Sequence, residues 1–340
     1  MHYFQYKNNE LYAEDVPVRV LAEEYGTPLY IYSYRTIERH YHAYEDSFGS
    51  YPHIICYAVK ANSNIAILAS LAKLGSGADI VSGGELYRAL KAGIPASRIV
   101  YAGVGKTEEE IEYALRKGIL MFNVESPEEL EKINEVAARL NKKAPIALRI
   151  NPDIDPETHP YISTGLKKNK FGIPIERALQ YYQLASKLPN VKVIGVHKHI
   201  GSQLTSVRPF VDALKKVVNF IKDLQKQGLK IENLDIGGGL GIQYENEKPP
   251  HPKELTKKVL KVLKNESYRI IVEPGRSIVG NAGILVTKVL YRKEGPGKDF
   301  VIVDAAMNDL MRPSLYNAYH RIVPVKKSRR KKILSDVVGP

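Results

Sequence analysis

The stretch "HIICYAVKANSNIAILASLAKLG", residues 53–75, contains one complete strand-and-helix unit. From His53 to Val59 the side chains are almost all apolar, without the alternation of a half-exposed strand. Such a run reads as a strand covered on both faces. Asn62 and Asn64 break it, and an amphipathic helix is predicted over Asn64–Leu74. Lys60 stands where the apolar run stops. A lysine in that position is ordinarily a surface residue, because Lys is rarely buried. Its meaning depends on what ends the other strands.

The same theme recurs along the chain. Eight apolar runs are predicted as strands: 54–59, 78–81, 99–103, 120–124, 146–150, 193–199, 233–237 and 270–275. Between them lie helical patterns at Glu85–Ala92, Thr107–Lys117, Pro127–Asn141, Ile175–Leu188 and Val207–Gln227. Strands that alternate with helices imply a parallel sheet with helical crossovers. Eight of them predict an α/β fold, a (β/α)8 TIM barrel; a doubly wound open sheet is the alternative. Outside this region the period changes. "ILVTKVLY" (284–291), "FVIVDA" (300–305) and "HRIVPV" (320–325) read as strands with no helices between them. The expected organisation is a barrel over 28–278 and a β-sandwich-like domain from 1–27 with 279–340. The segment 151–174, between the fifth and sixth strands, is longer than a barrel loop needs, which marks it as functional.

Composition narrows the classes. With 44% hydrophobic and 26% charged residues the chain has the make-up of a globular protein. No apolar run approaches a membrane span, and the first residues lack the core of a signal peptide. The single cysteine, Cys56, excludes an intrachain disulfide and a Cys-rich zinc site, so a cytoplasmic protein is expected. The net charge of +13 is spread widely, and the one dense cluster, 326–332, reads as a solvated turn. No nucleic-acid or membrane partner is expected; the basic field suits small anionic ligands.

In such barrels the chemistry sits at the C-terminal ends of the strands. Those ends carry Lys60, Asp79 with Ser82, Gly103, Asn123 with Glu125, Arg149 with Asn151, His197 with His199, Gly237–Gly239, and Glu273 before Arg276. An amine, acids, imidazoles and a triple glycine around one cavity fit pyridoxal phosphate. Lys60 would form the covalent link to the cofactor aldehyde. Gly237, Gly238 and Gly239, with Ser202 and Gly275, would cradle the phosphate, since no Cβ blocks close approach. Glu273 would face the ring nitrogen and keep it protonated, and His199 would stack on the ring. Asp79, Arg149, Pro274 and Arg276 complete the expected cofactor-binding set. Lys60, His199 and Glu273 are the expected catalytic residues.

Three rival motifs fail. "GVGKT" (103–107) resembles the tail of a P-loop, but the leading glycine would fall at Val100. "IGGGLGIQY" lacks the third glycine of a dinucleotide fingerprint. A metal on His197 and His199, as in barrel hydrolases, lacks an evident further ligand, so no metal is expected.

The strings "YAVKAN", "DIVSGGEL", "FNVES", "LRINPDID", "HIGSQ", "DIGGGLGI", "EPGRSIVG" and "MRPSLY" resemble, in order, the pyridoxal phosphate decarboxylases of the alanine-racemase fold. "HIGSQ", "EPGRSIV" and "MRPSLY" favour the branch that acts on a diamino dicarboxylate over those for ornithine, arginine or carboxynorspermidine. The resemblance implies a homodimer with active sites at the subunit interface. It also implies that Arg276, Arg312 and Tyr316 hold the carboxylate at the non-reacting end of the substrate, a role that suits the planar fork of arginine. In the family, "SDVVGP" is normally followed by a Cys-Glu-Ser-x-Asp segment and by strands carrying an active-site tyrosine. The chain stops at that string. An incomplete sequence, with the β domain truncated, is expected over a natural short form. A chain really ending there would be expected to bind cofactor with impaired catalysis, and a non-catalytic pyridoxal phosphate protein is the competing reading.

Overall fold

All eight apolar runs form parallel strands in the computed structural model, which describes residues 2–154, 170–264, 266–329 and 333–340. They are β1 (His53–Ala58), β2 (Gly77–Ile80), β3 (Ile99–Tyr101), β4 (Met121–Val124), β5 (Ala144–Asn151), β6 (Val191–His197), β7 (Asn233–Asp235) and β8 (Arg269–Val272). Each pairs in parallel with the next. β8 then returns to β1 through Ile270↔His53 and Ile271↔Ile54. The sheet closes on itself, so the architecture is a barrel and not the open doubly wound alternative.

The helices fall where the periodicity placed them, and their starts have local causes. Ser82, Thr107 and Ser126 each accept the N–H three residues on, capping Gly83–Lys91, Glu108–Lys117 and Pro127–Arg139. At Thr107 the side chain of Glu110 bonds back, which completes a capping box. The helix Arg208–Lys226 buries a long stripe from Phe210 to Leu224.

Inside the barrel, Ile54, Cys56, Val100, Met121, Ala147, Ile194 and Ile271 pack as one apolar cluster. Successive strand residues face opposite sides, so a residue two places on shares the face. Two steps up from Met121, Ala147 and Ile271 stand Asn123, Arg149 and Glu273, all buried. β6 reaches the same level through an irregularity between Val193 and Gly195, which sets His197 level with Arg149 on one side and Asp235 on the other. An apolar floor under a polar layer is therefore written into the strand register.

Lys60 lies just beyond the strand proper. β1 ends at Ala58, and Val59–Ala61 form a tight helical turn that carries the lysine. His199 likewise lies past the end of β6 at His197.

The chain divides into two compact units. The larger comprises Glu38–Ile242 and Lys248–Val279; the smaller comprises Met1–Ile37, Gln243–Glu247 and Gly280–Pro340. In the smaller unit the hairpin Phe4–Lys7 and Glu10–Ala13 packs Phe4, Leu11 and Ala13 with Val18, Ile31 and Val286. Leu29–Tyr32 pairs antiparallel with Gly283–Val286. A second sheet joins Val289–Lys293, Phe300–Val303 and Asp336–Val338.

Three expectations for this unit need correction. "ILVTKVLY" is two strands, because Thr287 Oγ1 and Lys288 N both bond Asp304 Oδ1, at 2.6 and 2.8 Å, instead of the ladder. Residues 320–325 form no strand; Val325 instead accepts the Leu11 N–H at 2.8 Å along the hairpin. A short helix, Arg312–Tyr316, also stands where only strands were expected.

Candidate active site

Lys60 and Asp79 meet at the ends of neighbouring strands. The ammonium bonds Asp79 Oδ2, and Asp79 is fully buried. Burial first, then the charge of Glu273, pushes the Asp79 carboxyl up to about 7 against the pull of Lys60. Its other oxygen, Oδ1, has no hydrogen-bond partner among the described residues. Burial works against the Lys60 ammonium, but Asp79 and Glu273 outweigh it and hold its pKa above the usual value. The amine thus lies within electrostatic reach of Glu273. The side chain remains 48% exposed, accessible to an incoming group.

Glu273 is the centre of the inner layer. Asn123 Nδ2 donates to its Oε1 at 3.3 Å, His197 Nε2 stands 3.5 Å from that oxygen, and His199 Nδ1 lies 3.9 Å from Oε2. Burial opposes its charge, but His197 and the Lys60 ammonium prevail and hold the carboxyl well below the usual range. His199 Nδ1 accepts the Gly238 N–H at 3.2 Å, so this nitrogen carries no proton. Burial, with the Arg149 charge, keeps the ring neutral. A neutral imidazole suits stacking on an electron-poor ring.

The glycine turn is compact for a visible reason. A Cβ on Gly238 would lie 2.0 Å from the carbonyl oxygen of Glu273. One on Gly239 would lie 2.2 Å from Gly201 O, at a backbone φ of +115°. Gly237 N donates to Asp235 Oδ1 at 2.9 Å, and Gly238 N is used by His199. Two of the three amides are therefore tied to the neighbouring acid and imidazole. Arg276 Nε donates to Ser202 Oγ at 3.3 Å beside this turn. Gly275 packs against Ala58 and Ala61, where a Cβ would come within 3.0 Å of either methyl.

Gly238→Ala is expected to force the turn away from β8 and to weaken cofactor binding by about tenfold or more, the equivalent of ~1.4 kcal/mol. Absorbance titration of the apoprotein with pyridoxal phosphate measures it. Unchanged affinity would show that the turn yields freely.

Arg149 forms a buried ion pair with Glu125 at 2.6 Å and lies 4.7 Å over the Phe171 ring. Glu125 Oε2 also accepts the Gly172 N–H at 2.8 Å. The segment expected to be functional, 151–174, falls mostly outside the described residues. In the smaller unit the Arg312 guanidinium sits 5.4 Å over Tyr244 and 5.7 Å over Tyr316. Its Nε has no partner among the described residues, so a donor is available for an anion. Arg276 belongs to the larger unit, and Arg312 and Tyr316 to the smaller.

The rival motifs are put to other uses. Lys106 of "GVGKT" spends its ammonium on Gly103 O, Asn123 O and Glu129 Oε1, at 2.7, 3.0 and 2.7 Å. It pins two βα loops together. His197 clusters with Asp235 and Glu273, their polar atoms all within 4.8 Å of one another, while His199 turns to the glycines.

Two residues escaped the sequence reading. Asp235 is fully buried at the level of His197. Its position two residues before Gly237, on the inward register of β7, was the available signal. Lys198 is buried on the outer face of β6, 5.4 Å over the Phe210 ring, and burial pulls its pKa down to about 8.

A lysine with an acid partner, a charged glutamate below a neutral imidazole, and a turn that excludes every Cβ fit an aldehyde cofactor with a ring nitrogen and a phosphate. Barrel and site together define a pyridoxal-dependent decarboxylase. Residues 34–280 match the family described as "Pyridoxal-dependent decarboxylase, pyridoxal binding domain". The diaminopimelate decarboxylase of Haemophilus influenzae is 54% identical, over 100% of this chain and 82% of that protein. That of Aquifex aeolicus is also 54% identical, over 99% of this chain and 80% of its own length. The Helicobacter pylori diaminopimelate decarboxylase complexed with L-lysine aligns with a TM-score of 0.91 at 47% identity, covering 95% of this chain and 81% of that one. The diaminopimelate decarboxylase from M. jannaschi aligns with a TM-score of 0.94 at 42% identity, over 99% of this chain and 81% of that one. The chain belongs to the diaminopimelate decarboxylase family.

Proposed function

We propose that this chain removes one carboxylate of meso-2,6-diaminopimelate as CO2 and leaves L-lysine, with Lys60, His199 and Glu273 as its catalytic residues. The observation that carries the assignment of roles is that Lys60, bonded to Asp79, and Glu273, beside His197 and His199, follow the C-terminal ends of the adjacent strands β1 and β8. Bound pyridoxal phosphate supplies an electron sink for the bond broken at the amino-acid α-carbon. Lys60 would hold the cofactor through its aldehyde, and Asp79, paired with that amine, would keep it charged and oriented when the cofactor is absent. Glu273 keeps a proton on the ring nitrogen. His199 stacks on the ring, with its Nδ1 already committed to Gly238. Gly239, Ser202 and Gly275 would hold the phosphate; Gly237 and Gly238 shape the turn by bonding Asp235 and His199. Asp79, Arg149, Pro274 and Arg276 complete the cofactor site.

Specificity is proposed to rest on Arg276, Arg312 and Tyr316, which would hold the distal carboxylate. Fixing that end sets which bond at the reacting carbon stands perpendicular to the ring, and orientation of this kind decides which bond breaks. A monoamine lacking the distal carboxylate would leave both arginines short of a partner.

The test is a visible spectrum of the holoenzyme before and after diaminopimelate, with CO2 and lysine assayed together. Equimolar lysine and CO2 are expected. A spectral change without CO2 would mark a non-catalytic pyridoxal phosphate protein, and faster turnover of ornithine or arginine would reassign the substrate. A homodimer with its active site at the interface is part of the same proposal, supported by the family resemblance, with light scattering as its check. A cytoplasmic location is also proposed; among the described residues no helix is long and apolar enough to cross a membrane.

A further inference from the structure

Two acids share the dry layer of the barrel with one amide. Asn123 Nδ2 donates to Asp235 Oδ2 at 3.0 Å and to Glu273 Oε1 at 3.3 Å. β4 is adjacent in the ring to neither β7 nor β8, so both bonds cross the lumen. Asp235 is 0% exposed and Glu273 5%. The two carboxyl groups are close neighbours: one oxygen of each lies within 4.8 Å of the other and of a His197 ring nitrogen. Among the described residues no lysine or arginine forms an ion pair with Asp235, whereas Glu273 has His197 beside it and Lys60 within electrostatic reach.

Two adjacent carboxylates in such a layer cannot both ionise. Lys198 acts on both acids, but Lys60 reaches Glu273 and Asp235 is the more deeply buried of the two, so the proton belongs on Asp235. A protonated carboxyl has one O–H to donate, and the acceptor at hand is the carboxylate of Glu273.

We propose that Asp235 is a positioning residue for Glu273: it stands as a neutral acid, donates its O–H to the Glu273 carboxylate and, with the Asn123 amide, fixes where that carboxylate points. Its second oxygen accepts from Gly237 N at 2.9 Å, so the same side chain ties the glycine turn to the group below the cofactor ring. The direction of the Asp235 titration agrees, since burial and the Glu273 charge both drive its pKa well above the usual carboxylate range. This inference rests on the reading of Glu273 as partner of the ring nitrogen.

Asp235→Asn and Asp235→Ala test it. The wild-type-minus-Asp235→Asn infrared difference spectrum of the apoprotein at pH 7 is expected to show the carbonyl stretch of a protonated carboxyl group, over the part that Asp79, titrating at about 7, contributes to both proteins. This arm needs no cofactor and so stands apart from the role of Glu273. In the holoenzyme, Asp235→Ala is expected to lower kcat by about 10–100-fold, the usual effect of removing a group that orients a reacting one. KM for diaminopimelate should stay nearly constant, and the absorption maximum of the bound cofactor should move. Asp235→Asn keeps a donor in place and is expected to recover most of that loss. Absence of the acid band would overturn the proposal, as would an Asp235→Asn variant as impaired as Asp235→Ala. Should Asp235→Ala not fold, the band and the Asn variant's spectrum decide. An intact band with an unaltered Glu273→Gln enzyme would condemn the reading of Glu273 while leaving the proton on Asp235.

Discussion

Replacing Lys60 by alanine is expected to abolish turnover, with kcat lowered by on the order of 10⁴ or more, since the proposed role of the lysine is to anchor the cofactor covalently. The cofactor's bound absorption band should vanish, and borohydride should no longer fix cofactor to the chain. A variant with normal turnover would remove Lys60 from the mechanism. The substitution also leaves Asp79 buried without its cation. In the intact protein the Asp79 pKa is about 7, above the ordinary carboxylate value, because burial penalises its charge. The folded state therefore binds more protons than the unfolded one in that interval. The group's contribution to stability is full at low pH and falls as the pH rises through the folded pKa. Without Lys60 that pKa climbs further. From about pH 7 to 9 the melting temperature of the Lys60→Ala apoprotein should keep falling where the wild type's Asp79 contribution has levelled off. Parallel profiles would mean that Lys60 and Asp79 are not coupled.

The barrel was legible because its strands are covered on both faces, which leaves apolar runs with nothing else to explain them. "IICYAV" and "IIVEPG" sit side by side as β1 and β8, although more than two hundred residues separate them. The rim was legible from the polar groups that end those runs. What could not be read was which of them touch. Asn123 and Asp235 are 112 residues apart, and only closure of the ring puts them 3.0 Å from one another. Lys198 was hidden for the opposite reason. Between two histidines it reads as one more polar residue of the rim, yet alternation turns it outward, under Phe210 of the following helix. In the smaller unit, "HRIVPV" has the composition of a strand, but Pro324 has no N–H to donate to a ladder. Its carbonyl instead accepts from Tyr6 of the N-terminal hairpin, a partner more than three hundred residues away.

Glu273→Gln should lower kcat by about 10²–10³, the range seen when one preorganised group facing developing charge is lost. Glutamine keeps the volume and can still accept from Asn123, so the layer should hold together and the cofactor should stay bound. What it cannot supply is a negative charge beneath the ring nitrogen. The loss should therefore appear in kcat with KM little changed, the pattern of an interaction made mainly in the transition state. Unaltered kinetics would mean that another group serves the ring nitrogen. The same variant acts on its neighbour. The charge of Glu273 is one of the two causes that drive Asp235 upward, second to burial. With that charge gone, the midpoint at which Asp235 loses its infrared acid band should move down, even though burial still favours the neutral form. Such a change in a protein free of cofactor would show that the two carboxyl groups titrate as one coupled pair, with the proton held on Asp235 by the charge of Glu273.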